Sequence, residues 1–204
     1  MKLINQSVEL IDEIDGISIL KKLEKIGRLC YKSESKITED SHKKFITNIL
    51  KRGHEAIIEH SHITIKWITD RSISHELVRH RIANYAQESQ RYVKYNDIEF
   101  IKPVDFEFSN KDIWYLIDVE AKYKSLIKEG KAPQQARAIL PNCTKTEIIF
   151  TMNLRELRHM LSLRCDVSAH PNMRDISIQT LKLLHNNIPI IFDDLFERFC
   201  LTDC

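Results

Sequence analysis

Only four glycines occur in 204 residues, at positions 16, 27, 53 and 130. They are too far apart for a G-x-G-x-x-G turn or a G-x-x-x-x-G-K-[ST] loop, so any nucleotide must be held without a glycine-rich phosphate cradle. Cysteine is sparse too: Cys30, Cys143, Cys165, Cys200 and Cys204 are odd in number and include no C-x-x-C pair. That suggests neither a disulfide framework nor a zinc knuckle, and the cysteines read as free, reduced thiols. No run of about 18 apolar residues exists, so no membrane span is expected. The opening "MKLINQSVELIDEIDG" lacks the apolar core of a secretory leader, which points to a cytoplasmic protein. Neither sign of charge dominates: 31 Lys and Arg face 29 Asp and Glu, a net +2. A generic nucleic-acid binder would carry a broad basic excess.

What is present is the composition of an ordinary globular chain, 43% hydrophobic and 29% charged. Residues 2–10 read as a strand. "ISILKKLEKIGRLCY" places Ile19, Leu20, Leu23, Ile26 and Leu29 on one helical face. "TEDSHKKFITNILKRGHE" reads as a helix with acids in its first turn, Lys51 and Arg52 in its last, and Gly53 beyond. "HITIKWIT" alternates as a half-buried strand. "SISHELVRH" predicts a helix, "IEFIKP" a short strand, and "NKDIWYLIDVEAKYKSLIKEG" a long amphipathic helix stopped at Gly130. Pro133 suits the first turn of a shorter helix that ends by Pro141. "TEIIFTMN" predicts a strand, "LRELRHMLSLR" a helix, and two further helices follow "PNM", separated by Pro189. No repeat or linker divides the chain. The expectation is one α+β domain over residues 1–204, a small central sheet flanked by helices.

One segment departs from the neutral average. "RHRIANYAQESQRY", residues 79–92, holds three arginines, a histidine, two glutamines, an asparagine and a serine, with Glu88 its only acid. Cations concentrated in one stretch of a neutral chain read as a defined anion site. Arg79, His80 and Arg81 would fan over roughly 200° on a helix; on a strand the two arginines would point away from His80. Cations at a helix end are common, but that accounts for one or two of them. Gln87, Ser89, Arg91 and Tyr92 follow with almost no aliphatic padding. Arginine brings a planar fork suited to phosphate or a uracil edge.

Two other segments compete for attention. "HEAIIEH" looks like a zinc-protease motif, but His54 and His60 are six apart, and capture by one helix needs four. "NLRELRHMLSLR" puts Arg155 and His159 four apart on one face, with Arg158 off that face and expected in solvent. Arg137, in "QQARAIL", is a lone cation on an apolar short helix, either snorkelling or aimed at an anion.

Together these residues resemble flavin-dependent thymidylate synthases. "RHR", seven residues, then Ser89 with "QRY" following is similar to the family signature. "RGHEAIIEH", "QQARAILP", "NLRELRHMLSLR" and "AHPNMRDI" resemble further family segments in the same order, spanning about residues 28–176. The resemblance implies the fold type and the reaction. Uracil C5 of dUMP is methylated, with methylenetetrahydrofolate as carbon donor, FAD as hydride carrier and NADPH as reductant. It implies flavin contacts at Arg79, His80, Arg81, Gln87, Asn153, Leu154, Arg155, His159, His54 and Ala56. It implies dUMP contacts at Glu76, Leu77, Val78, Arg79, Gln87, Glu88, Ser89, Gln90, Arg91, Arg137 and Arg164. Arg164 falls where the family binds the pyrimidine and favours ionisation at N3, and Ser89 is a binding hydroxyl, not a nucleophile. The resemblance also implies sites shared between subunits of a homotetramer, with no metal and no nucleic-acid partner. The chain departs from the pattern in "NYAQ", residues 84–87, where many members read Ser-x-Asn-Glu. Glu76 stands where some carry Gln and needs Arg79 to neutralise it. Cys30 and Ala56 stand where some use a hydroxyl.

Two other readings stay open on the residues alone. A nucleotide- or RNA-binding module would use the same arginines, but its stacking aromatics reduce to Tyr85, Tyr92 and Tyr95. A structural oligomer would spend the arginines in ion pairs.

Overall fold

The computed structural model describes residues 1–201; Cys204 lies outside the described residues. The strands are β1 (Lys2–Ile4), β2 (Ser7–Leu10), β3 (His62–Asp70), β4 (Ala83–Gln87), β5 (Glu99–Ile101) and β6 (Lys145–Asn153). The helices are α1 (Gly16–Cys30), α2 (Ser41–Lys51), α3 (Arg71–Leu77), α4 (Asn110–Lys128), α5 (Pro133–Ala136), α6 (Leu154–Arg164), α7 (Pro171–Asn187) and α8 (Pro189–Phe196). The architecture is α+β. Strands β2-β3-β6-β4 form an antiparallel sheet, and β1 pairs in parallel with β5.

The alternation in "HITIKWIT" buries Ile63, Ile65 and Trp67 on one face of β3, as a period of two requires. Thr146, Ile148, Phe150 and Met152 do the same on β6. Residues of α1, α2, α6, α7 and α8 complete that core, among them Leu23, Ile46, Met160, Ile176 and Phe192. Trp67 is fully buried, meets Phe150 edge-on with ring centroids 5.1 Å apart, and donates its indole N–H to Thr180 Oγ1 at 2.9 Å. A second core lies where Leu116, Val119 and Tyr123 of α4 cover Ile98 and Phe100 at β5. No helix among the described residues is long and apolar enough to cross a membrane.

Three local expectations change. Residues 2–10 are two strands in two sheets, because Gln6 turns the chain inward between them. Its buried amide donates to Asn172 O (2.7 Å) and Asp175 Oδ2 (2.6 Å) and accepts from Thr69 Oγ1 (3.1 Å). Glu39 and Asp40 precede α2 instead of filling its first turn, since Asp40 is the capping position. The helix over 171–187 begins at Pro171 itself, inside "PNM", with His170 as its cap. Gly53 and Gly130 adopt φ of 68° and 86°, the left-handed geometry that ends α2 and α4 where the sequence placed their stops.

Trp67→Phe keeps a ring in the core but removes the bond to Thr180 and some volume. Urea denaturation should show a loss of about 1–3 kcal/mol. Unchanged stability would show that the Trp67–Thr180 bond contributes nothing net.

Candidate active site

Helix α3 starts at the Asp70 cap, whose carboxylate accepts from Ile73 N–H at 2.9 Å, and ends at Leu77. The chain then makes a tight turn, 78–82, that is neither helix nor strand. Arg79 N–H donates to Glu76 O and His80 N–H to Leu77 O. The Tyr85 hydroxyl lies 2.9 Å from the Leu77 carbonyl and 2.6 Å from that of His80, closing the turn from β4. Burial, then Glu156, pushes the Tyr85 phenol up to about 12, so it keeps its proton as donor. The turn sends Arg79 and Arg81 outward and buries His80, only 6% exposed. Leu77 is in the core, whereas Val78 is exposed.

His80 meets α6. Its Nε2 accepts from Arg164 Nε at 3.1 Å, and its Nδ1 lies 3.3 Å from Glu156 Oε1. The Arg164 guanidinium also donates to Glu76 Oε2 (3.1 Å) and to Glu76 O (3.3 Å). Three of its five N–H donors are thereby fixed, and two remain for a ligand. The partner that neutralises Glu76 is thus Arg164, not Arg79. Burial first, then the charges of Arg164 and His159, holds His80 well below the usual histidine range, at about 4. The ring is neutral at physiological pH. Burial also raises the Glu156 carboxyl.

A cavity of about 570 Å³ opens beside this group, lined by Ile82, Asn153, Arg155, Glu156, His159 and Ser162 among others. Asn153 caps α6 by accepting from Glu156 N–H at 2.8 Å, and Leu154 is core with its N–H bound to Ser61 O. Arg155 pairs with Glu59 at 2.6 Å. Arg158, expected in solvent, is held by both Asp194 oxygens at 2.7 and 2.8 Å and by Ile191 O, because α8 packs over it. His54 and Ala56 are exposed, and His54 Nδ1 meets Tyr31 OH at 3.1 Å. Arg79 and Arg81 form no side-chain hydrogen bond or ion pair with any described residue, so their forks are available to an anion.

The remaining residues gather at the other end of β4, about 14 Å of strand away. Gln87 is already engaged, donating to Ser74 Oγ (2.8 Å) and Thr146 Oγ1 (3.2 Å). Glu88 pairs with Lys145 at 3.3 Å. Ser89 Oγ accepts from Arg91 N–H, and Arg91 Nε donates to Gln134 Oε1 at 3.1 Å. Gln90 is buried, and its amide nitrogen has no partner among the described residues. Arg137 is exposed and lies close enough to Arg71 for the two charges to repel. Arg71 is the cation that sequence reasoning missed. Burial, and to a smaller extent Arg137, holds its guanidinium below its ordinary value. The signal available was a cation immediately after the β3 pattern.

The His80 shift has a pH signature. A histidine with a depressed folded pKa binds its proton more readily in the unfolded chain. Stability from neutral His80 is therefore complete above about 6.5 and lost as pH falls through about 4. The loss should reach roughly 3 kcal/mol. Glu156, raised by burial, works in the opposite sense, so the comparison must be with His80→Gln. The difference in urea-unfolding free energy between the two proteins should narrow between pH 6.5 and 4. A pH-independent difference would mean that His80 is not buried neutral.

The family model described as thymidylate synthase complementing protein matches residues 10–190. The flavin-dependent thymidylate synthase of Geobacter sulfurreducens is 36% identical, covering 86% of this chain and 81% of that protein. The protein of that name from Mycolicibacterium gilvum is 34% identical over 96% of this chain and 86% of its own length. A UMP/dUMP methylase, PolB from Streptomyces cacaoi, solved with 5-Br dUMP, superposes with a TM-score of 0.75 at 23% identity, covering 98% of each chain. It shares the fold. On the extent of these matches, the chain belongs to the flavin-dependent thymidylate synthase family.

Proposed function

We propose that this chain catalyses the reductive methylation of dUMP to dTMP, with methylenetetrahydrofolate as carbon donor, FAD as hydride carrier and NADPH as the reductant. The observation that carries this reading is the Arg164 guanidinium. It is fixed on one edge by His80 and Glu76, with two donors left, and the turn that presents His80 also carries Arg79 and Arg81, which have no side-chain partner among the described residues.

The residues fit a flavin nucleotide. Arg79 and Arg81 have no side-chain partner among the described residues, and they share the turn with Ile82, which lines a cavity that also presents Asn153 and His159. The other cations there are matched: Arg155 by Glu59, and Arg158 by Asp194 and Glu55. A phosphate group would therefore be held by Arg79 and Arg81, with His80 behind them as a neutral wall. FAD, when bound and reduced, supplies the hydride for uracil C6. The part left to this chain is electrostatic. As C6 accepts electron density, negative charge grows at N3 and the adjacent carbonyl, and the free donors of Arg164 stabilise it more in the transition state than in the ground state.

The dUMP phosphate is assigned to Arg91 and Arg137, with Ser89, Gln90 and Arg71 around them. Those residues lie across β4 from Arg164. A nucleotide that uses Arg164 at its base and Arg137 at its phosphate then takes them from different copies of the chain. That supports the shared-site homotetramer implied by the family resemblance.

Purified protein should keep visible flavin absorbance through gel filtration and convert dUMP to dTMP when given methylenetetrahydrofolate and NADPH. Arg137→Ala and Arg164→Ala proteins should each be nearly inactive, and oligomers assembled from both should regain part of the activity. Colourless protein that fails to bind added FAD would overturn the enzyme reading. Mixed oligomers no better than either parent would overturn the division of the site.

A further inference from the structure

Glu156 is a buried carboxylate with no established task. It is 8% exposed, and among the described residues no lysine or arginine lies within ion-pair distance of it. Among the described residues its one side-chain hydrogen-bond partner is His80 Nδ1, at 3.3 Å. Burying a carboxylate without a cation is costly, and a place in the first turn of α6 offsets only part of that cost.

The ring it touches is constrained from the other side. Arg164 Nε–H is a donor that cannot lose its proton, and it points at His80 Nε2 at 3.1 Å. That nitrogen must therefore carry a lone pair. A neutral imidazole then bears its proton on Nδ1, the nitrogen facing Glu156. Free imidazole side chains in water prefer the opposite tautomer, so the protein must supply an acceptor at Nδ1.

We propose that Glu156 is a positioning residue for Arg164: by accepting from His80 Nδ1–H it keeps Nε2 an acceptor, and that acceptor fixes the plane of the guanidinium. Without Glu156, the ring reverts to Nε2–H or becomes doubly protonated. Either state sets N–H against N–H, and Arg164 swings onto Glu76 alone. The catalytic consequence rests on the role proposed above for Arg164; the tautomer does not.

The rival role is helix stabilisation, in which Glu156 merely complements the N-terminus of α6. Two substitutions separate the roles. Glu156→Gln loses the charge but keeps an acceptor oxygen; Glu156→Leu loses both. The experiment is ring-nitrogen NMR of histidine-labelled protein at neutral pH, paired with single-turnover kinetics of the dUMP-dependent step on protein matched for flavin content. The parent should show His80 as the Nδ1–H tautomer, and Glu156→Gln should match it. Glu156→Leu should lose that tautomer and slow the step about tenfold, the worth of one hydrogen bond. Flavin content and flavin reduction by NADPH should hold. His80 found as Nε2–H in the parent overturns the proposal, whatever the enzyme does. A Glu156→Leu protein with an altered tautomer and the parent rate overturns the link to Arg164. Equal loss in Glu156→Gln and Glu156→Leu identifies the helix role instead. If Glu156→Leu does not fold, the parent tautomer and the Glu156→Gln rate decide. A parent that makes no dTMP refutes the function while leaving the tautomer result intact.

Discussion

The hydrogen bond from Arg164 Nε to His80 Nε2 is the constraint on which the site depends. It joins the end of α6 to the turn after α3, two segments 84 residues apart in sequence. It requires a neutral ring, and burial first, then the neighbouring Arg164 and His159, keeps it neutral. It also directs the rest of the guanidinium toward Glu76, which resolves an apparent misfit. An acid in the anion-binding site proposed above would be unfavourable alone, but Glu76 orients the cation while two donors stay free. The turn that presents His80 is held by Tyr85, whose own protonation is secured by burial. A sheet residue thus supports the turn that carries the His80–Arg164 contact.

Local pattern made three of the four strands of the main sheet and most helices legible; strand β4, inside the polar segment 79–92, was not expected. The alternation of Ile63, Ile65 and Trp67, the stops at Gly53 and Gly130, and the proline at 133 all act over a few residues, and the structure follows them. The misses are long-range. Nothing in residues 2–10 reveals that Gln6 bonds to residues 172 and 175 and so splits one strand into two. Arg158 reads as solvated because Asp194 and Ile191, which hold it, arrive on another helix. Glu156 reads as an ordinary first-turn acid until His80 is seen against it.

The opening excess of donors in residues 79–92 divides accordingly. Among the described residues Arg79 and Arg81 have no side-chain partner at one end of β4, while Gln87 and Glu88 are spent on Ser74, Thr146 and Lys145. Gln87 therefore works first as a fastener between β4, β6 and α3. The structural-oligomer reading, in which the arginines are consumed by ion pairs, holds for Arg155 and Arg158 but not for Arg79, Arg81 or Arg137.

The most direct measurement is single-turnover oxidation of reduced flavin by dUMP plus methylenetetrahydrofolate, on proteins matched for flavin content. With the Arg164→Ala protein the step should slow roughly 10²–10³-fold, as for loss of one preorganised donor to a developing anion. Arg164→Lys should recover only part of the rate, because lysine keeps the charge without the fork. Reduction of the flavin by NADPH should be unchanged in both. Oxidation at the unmutated rate in Arg164→Ala, or a defect confined to lost FAD, would contradict the account and make Arg164 a structural residue.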